Sequence, residues 1–110
     1  RGDALAARMA APCAARAADL EAARGRHRAV ARAARLLPGA TCLVRATDLV
    51  DWLREDGQAA RLRIGVRRDG HGPRAHAWVE LDGRPLGEDA TQLAAFAVLD
   101  QPPPAAAWPP

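Results

Sequence analysis

The first part of the chain places a few large apolar residues among alanine and arginine, which is the pattern of amphipathic helices. In the longest helical stretch of this part, one face of the predicted helix carries Leu20, His27, Val30, Ala34 and Leu37. The spacing between residues 3 and 36 predicts two or three helical pieces, the second opening at Pro12 and interrupted or bent at Gly25. Pro38 and Gly39 end this helical region.

A second helical pattern follows Thr41. Its apolar positions recur at steps of three and four and are Leu43, Ala46, Leu49, Val50 and Leu53. Thr41 is a suitable N-cap because its hydroxyl can accept a hydrogen bond from the first turn, and Gly57 supplies the stop signal. The sequence therefore predicts a helix that carries Cys42 in its first turn.

Beyond this helix the period changes to two, which is typical of strands. Residues 61–67, 75–81 and 84–88 are predicted as three strands. The segment 68–73 is rich in turn-forming residues and is predicted as a loop, whereas Asp82-Gly83 predicts a two-residue hairpin turn. The residues expected to close the core, in a short helix or strand, are Leu93, Phe96 and Leu99.

These elements predict an α+β fold in which N-terminal helices precede a small antiparallel sheet. A chain of 110 residues is long enough for one core and too short for two. We expect a single domain over residues 1–100, with a helical part at 1–37 and the core that carries the chemistry at 38–100. The proline-rich tail at 101–110 is not expected to form regular structure.

Composition excludes several classes of function. The net charge of +3 is carried by arginine alone, and without interleaved aromatic residues it favours no nucleic-acid partner. No uninterrupted apolar stretch approaches the roughly 18 residues of a membrane span. With Cys13 and Cys42 as the only cysteines, we expect reduced thiols and a cytoplasmic protein. The spacing of His71 and His76 matches no metal motif, so neither a metal nor another cofactor is predicted.

The candidate chemistry involves Cys42 and the second predicted strand. A thiolate at a helix N-terminus is favoured by the helix dipole, but lowering a thiol pKa from about 8.5 to below 7 requires roughly 2 kcal/mol. A helix end supplies only about 0.3 to 1 kcal/mol. His76 can supply the remainder as an ion-pair partner and then act as a general acid. On the same strand face, Trp78 is expected to wall the site or pack in the core, and Glu80 to pair with an arginine.

An acid is required to orient the imidazole of His76. If Asp82-Gly83 is a two-residue turn, regular pairing places Asp89 opposite His76. A bulge or a longer turn would instead bring Glu88 to a position diagonal to His76. Counting the strand register therefore leaves both Asp89 and Glu88 as candidates for the acid that orients His76. The remaining Cys13 and His27 lie on helical stripes and are interpreted as core or interface residues.

Several of these segments together resemble one enzyme family. They are Cys42-Leu43-Val44-Arg45-Ala46, Gly57, the strand 62–67, and Ala75-His76-Ala77-Trp78-Val79-Glu80 followed by Asp82-Gly83. In order and spacing they resemble the lasso-peptide leader peptidases, which belong to the transglutaminase-like, papain-related superfamily of cysteine enzymes. The resemblance covers residues 36–99.

The resemblance implies a cysteine peptidase that removes the leader from a lasso-peptide precursor. By position, Cys42 matches the nucleophile, His76 the base and Glu88 the acid; the family usually has Asp there, so Asp89 is the second choice. The implied partners are the precursor's leader peptide, a small leader-binding protein and an ATP-dependent cyclase. The alternatives are an acyltransferase or transglutaminase with the same triad, and a non-catalytic module that binds the precursor.

Overall fold

A computed structural model of the chain describes residues 2–12, 17–37, 39 and 41–101. Its elements are α1 (Gly2–Met9), α2 (Leu20–Ala34), α3 (Cys42–Glu55), β1 (Ala60–Asp69), β2 (Gly72–Leu81), β3 (Arg84–Pro85), α4 (Ala90–Leu93) and β4 (Ala97–Val98). The fold is α+β, as the sequence predicts. None of the helices in these ranges combines the length and apolarity that a bilayer crossing requires.

The sheet is antiparallel, with the strand order β3-β2-β1-β4. Its centre is a long hairpin of β1 and β2, paired from Ala60 with Leu81 to Asp69 with Gly72. The loop predicted over 68–73 is therefore wrong. The positive φ of 106° at Gly72 helps the chain reverse within Gly70-His71, so pairing continues to the end of both strands.

The third strand is much shorter than predicted, since β3 ends at Pro85 and not at residue 88. Its turn is the predicted one: Asp82 and Gly83 have φ values of 54° and 73°, and Leu81 pairs with Arg84. Positive φ at both central residues is what a two-residue hairpin turn of type I′ requires. The shortening of β3 leaves most of one edge of β2 without a partner strand from the described part of the chain.

The core lies between α3 and one face of the sheet. Alternate residues of β1 and β2 point towards the apolar side of α3, as the period of two requires. The buried apolar side chains of these elements that pack together in this core are Ala46, Leu49, Val50, Leu53, Ala60, Leu62, Ile64, Ala77, Val79 and Leu81. The segment after β3 contributes Leu86, and α2 covers α3 through the fully buried Ala23.

The N-terminal helices differ from the prediction in two ways. Pro12 does not open the second helix; α2 begins at Leu20, because the Asp19 carboxylate accepts a hydrogen bond of 3.0 Å from the amide of Ala22. Gly25 does not interrupt α2 either. An internal glycine costs about 0.5–1 kcal/mol, which the surrounding alanine and arginine and the burial of Ala23 outweigh.

Arginine side chains tie the helices to the sheet. The guanidinium of Arg54 on α3 donates to the carbonyl of Ala60 at the start of β1, and to those of Ala7 and Arg8 at the end of α1, at 2.9, 3.1 and 3.2 Å. Arg8 in turn forms a two-bond ion pair with Asp51, with both distances 2.8 Å. These contacts fix the position of α1 relative to α3 and β1.

The contacts of Arg54 predict a stability difference between arginines of this chain. Arg54→Ala removes the donors to the carbonyl groups of Ala7, Arg8, Ala10 and Ala60, and we expect it to lower the free energy of unfolding by about 1–3 kcal/mol. Arg32→Ala on the exposed side of α2 is the matched control, with an expected change within about 0.5 kcal/mol. Urea unfolding followed by circular dichroism measures both. Equal free energies of unfolding in the two variants would contradict the stabilising role of the Arg54 contacts.

Candidate active site

The first turn of α3 positions Cys42. The Thr41 hydroxyl accepts a hydrogen bond of 3.3 Å from the amide of Val44, so Thr41 is the N-cap as predicted. The amides of Cys42 and Leu43 have no acceptor inside the helix, because the first turn of any helix lacks them. The half-buried thiol of Cys42 therefore lies at the positive end of α3.

The thiol meets β2 at the edge that β3 vacates. The amide of Leu86 donates to the carbonyl of Val79 at 2.9 Å, and β3 pairing does not extend further along this edge. Alternate residues of a strand direct their amides to the same edge, so the amide of Ala77 also points there. This amide and the side chain of His76 both interact with the sulfur of Cys42 and lower the pKa of the thiol.

His76 is held from its other side by Glu88. The distance between His76 Nε2 and Glu88 Oε1 is 2.7 Å. Because Nε2 faces the carboxylate, Nδ1 is the ring nitrogen left to share a proton with Cys42. His76 thus lies between the Cys42 thiol, with which it shares a cavity, and the Glu88 carboxylate, to which it is hydrogen-bonded.

The hairpin register alone would have placed Asp89 opposite His76. The register is interrupted at Gly87, whose φ of 68° turns the chain out of the strand and brings Glu88 to the imidazole. Asp89 instead caps α4, accepting a hydrogen bond of 2.9 Å from the amide of Thr91. The two acids therefore have different structural roles.

Cys42 and His76 shift each other's pKa, each favouring the charged form of the other. Burial, the largest single influence, raises the pKa of the Cys42 thiol, but hydrogen bonds from His76, Ala77 and Leu43 and the charge of His76 together bring the pKa below its ordinary value. Hydrogen bonds to Cys42 and Glu88 raise the pKa of His76 to about 9, against the opposing effect of burial. A thiolate and an imidazolium therefore coexist from the lowered pKa of Cys42 up to about pH 9.

An aromatic cluster supports the imidazole. The ring of His76 lies 5.8 Å from Trp78 and 5.7 Å from Phe96, measured between centroids. Trp78 is 5% exposed and lines the cavity beside Cys42. It therefore has both of the roles that the sequence offered as alternatives, as a wall of the site and as a packed side chain. Gly65 on β1 makes room for the cluster, because a Cβ there would lie 2.7 Å from Phe96 Cβ and 3.0 Å from the Trp78 ring.

Among the residues that the structure describes, a smaller and a wider cavity adjoin the His76–Glu88 contact. The smaller, about 90 Å³, reaches Cys42 and has mostly apolar walls from α2, α3 and β2. The wider, about 470 Å³, lies towards α4 and includes Arg67, whose guanidinium is 5.3 Å from the Phe96 ring centroid. An acyl group at the sulfur and a group beside the imidazole can therefore be accommodated separately.

The remaining predicted residues have mixed outcomes. Glu80 does face an arginine, with 3.9 Å between its carboxylate and Arg63. His27 is not a plain core residue, since it lines the smaller cavity together with Cys42 and His76. The helical spacing of His27 in the sequence does not indicate that it lines this cavity. Cys13 lies outside the described residues, as does Trp108 in the tail. Among the residues described, no cluster of three or more His, Cys, Asp or Glu side chains is arranged to hold a metal ion.

Comparison with known proteins agrees with this geometry. The family model described as "Transglutaminase-like superfamily" matches residues 1–101. The chain belongs to the transglutaminase-like superfamily. No curated protein and no solved structure gave a significant match.

Transglutaminase-like domains are commonly cysteine proteases or acyltransferases. Both activities need an activated thiol, a base to carry its proton and a group to orient the base. Cys42, His76 and Glu88 have the chemical groups for these three tasks: Cys42 and His76 line one cavity, and His76 is hydrogen-bonded to Glu88. Membership of the superfamily thus agrees with the site but does not choose between water and an amine as the second substrate.

The electrostatics of the site predict the reactivity of Cys42. In a Cys13→Ala background, we expect iodoacetamide to alkylate Cys42 with a pH midpoint below that of an ordinary thiol, about 8.5. His76→Ala removes the partner cation while burial remains, so the midpoint should rise. Mass spectrometry of quenched time points gives the rates. An unchanged midpoint in His76→Ala would contradict the ion pair.

The same method compares the two cysteines in the unmodified sequence. We expect Cys42 to be alkylated much faster than Cys13 near neutral pH, because reactivity follows the thiolate fraction. Peptide mapping after partial labelling assigns each adduct. Equal rates, or a faster Cys13, would contradict the activated thiol.

Proposed function

We propose that this transglutaminase-like protein is a cysteine peptidase that removes the leader peptide from a ribosomally made lasso-peptide precursor. The observation that carries the proposal is that Cys42, His76 and Glu88 line one cavity, with His76 hydrogen-bonded to Glu88 and lowering the pKa of the Cys42 thiol. The leader as substrate is supported by the resemblance of the segments around Cys42 and His76 to leader peptidases. Cleavage would free the amine of the core peptide for a separate cyclisation.

The reaction proceeds through a thioester. The Cys42 thiolate attacks the carbonyl at the end of the leader, and the tetrahedral intermediate collapses as His76 gives its proton to the departing amine of the core peptide. Glu88 holds the imidazole in the orientation that this transfer requires. The amide of Cys42, unpaired within α3, is positioned at the helix end to stabilise the oxyanion.

Water then resolves the thioester, with His76 as general base. The His76 and Glu88 side chains are 29% and 28% exposed, which allows solvent to reach the imidazole. This exposure is compatible with hydrolysis. An acyltransferase with the same residues is the second candidate, because its first half-reaction is chemically identical.

The proposal includes three partners. The leader peptide is the substrate, a small leader-binding protein delivers it, and an ATP-dependent cyclase uses the freed core peptide. The narrow cavity beside Cys42 supports the need for delivery, since about 90 Å³ accommodates one side chain and not an extended peptide. Most of the leader would then be held elsewhere.

The decisive experiment incubates the protein with a lasso precursor, the leader-binding protein and a labelled amine, and weighs the products. We expect a leader with a free carboxylate. A leader carrying the mass of the amine would establish the acyltransferase instead. Cys42→Ala is expected to abolish both products. Undiminished processing by this variant would show that Cys42 is not the nucleophile, and a failure of the unchanged protein to form either product while it binds the precursor would show that it only binds.

The separate positions of the two acids predict unequal effects. Glu88→Gln removes the negative charge beside His76, and we expect kcat to fall about 100-fold or more, since misorienting a catalytic imidazole has cost up to about 10⁴-fold. Asp89→Asn retains a side chain that can cap α4, so kcat should change by less than about threefold. Steady-state cleavage assays measure both. Two small effects would place the orienting group elsewhere.

A further inference from the structure

His27 on α2 is adjacent to the residue that delivers the acid. A Cβ built on Gly87 would overlap the imidazole ring of His27, so the ring lies directly over the Gly87 backbone. Gly87 is also the residue whose φ of 68° turns the chain out of the sheet. The ring and the turn thus meet at the point from which Glu88 reaches His76.

Glu88 needs such support more than the other two members of the site. Cys42 belongs to a helix and His76 to a strand, whereas Glu88 lies in the irregular segment between β3 and α4. Its side chain has one more rotatable bond than that of an aspartate, so more freedom must be restricted to hold its carboxylate in place. Neither β3 nor α4 includes Glu88, and contact from a third element compensates for that.

The helix that carries His27 is itself anchored. Arg26, the preceding residue, binds the carboxylate of Asp56 with a shortest distance of 2.9 Å and lies 4.0 Å from the centroid of the Trp52 ring. Ala23, one turn earlier, is fully buried. The His27 ring is therefore presented from a fixed element.

From these contacts we infer that His27 is a positioning residue: its ring holds the Gly87 turn and thereby keeps the Glu88 carboxylate against Nε2 of His76. The inference rests on the proposed function for its kinetic consequence only. Its structural content, the dependence of the Cys42–His76 pair on His27, is independent of the substrate.

The charge state of His27 agrees with this role. Burial lowers the pKa of His27, and the nearby Arg45 and Arg28 act in the same direction, while Glu88 opposes them. The ring is therefore neutral at pH 7 and does not compete with His76 as a cation for the Glu88 carboxylate. Packing on Gly87, and not charge, is the contribution of the ring.

The test uses the pH midpoint of Cys42 alkylation in the Cys13→Ala background, together with kcat for precursor cleavage. We expect His27→Ala to raise the midpoint, in the same direction as Glu88→Gln, and to lower kcat by about 10- to 100-fold with a smaller change in KM. His27→Phe, which restores a flat ring over Gly87, should recover most of both values. Arg32→Ala on the same helix is the control and should change neither.

A double-mutant cycle separates positioning from general packing. In a Glu88→Gln background, His27→Ala should have less than about a twofold further effect on kcat or on the midpoint, because it acts through Glu88. Additive losses, or a lower melting temperature with an unchanged midpoint, would overturn the inference. If no precursor is cleaved, the proposed function fails, but the alkylation cycle still decides the role of His27.

Discussion

The interaction between the sulfur of Cys42 and the ring of His76 depends on an interruption of the sheet. Were β3 as long as β2, its backbone would occupy the edge where the thiol lies, and the amide of Ala77 would be paired with a strand. The short β3 leaves that amide for the sulfur. A strand edge without a partner is ordinarily a liability, and here the beginning of a helix covers it.

The same interruption determines which acid reaches the imidazole. Gly87 takes a backbone conformation that other residues adopt at a cost, and the chain leaves the sheet there. Glu88 then approaches His76 from outside the ladder, and Asp89 is left to begin α4. Local backbone geometry thus assigns the two neighbouring carboxylates, which are chemically alike, to different tasks.

The sequence was sufficient where local rules determine the structure. Capping and termination rules depend on a few neighbouring residues, and they predict that the helix begins after Thr41, with Cys42 in its first turn, and ends before Gly57. The dipeptide Asp82-Gly83 is likewise a sufficient signal for a hairpin turn. The sequence was insufficient where tertiary contacts decide. The choice between Glu88 and Asp89 required the conformation of Gly87, and His27 was hidden because a ring packed on a distant backbone follows the same helical spacing as a core residue.

Two of the arginine contacts that hold α1, Arg8 with Asp51 and Arg54 with the end of the helix, respond differently to acid. Arg8 holds the pKa of Asp51 below its ordinary value, so the stability from this pair is present above the usual carboxylate range and is lost as the pH falls through the lowered pKa. Arg54 binds backbone carbonyls, which do not titrate, and a guanidinium keeps its charge to about pH 12. Acidification therefore releases the side-chain link of α1 and leaves its main-chain link intact, so the helix remains tethered at its C-terminal end.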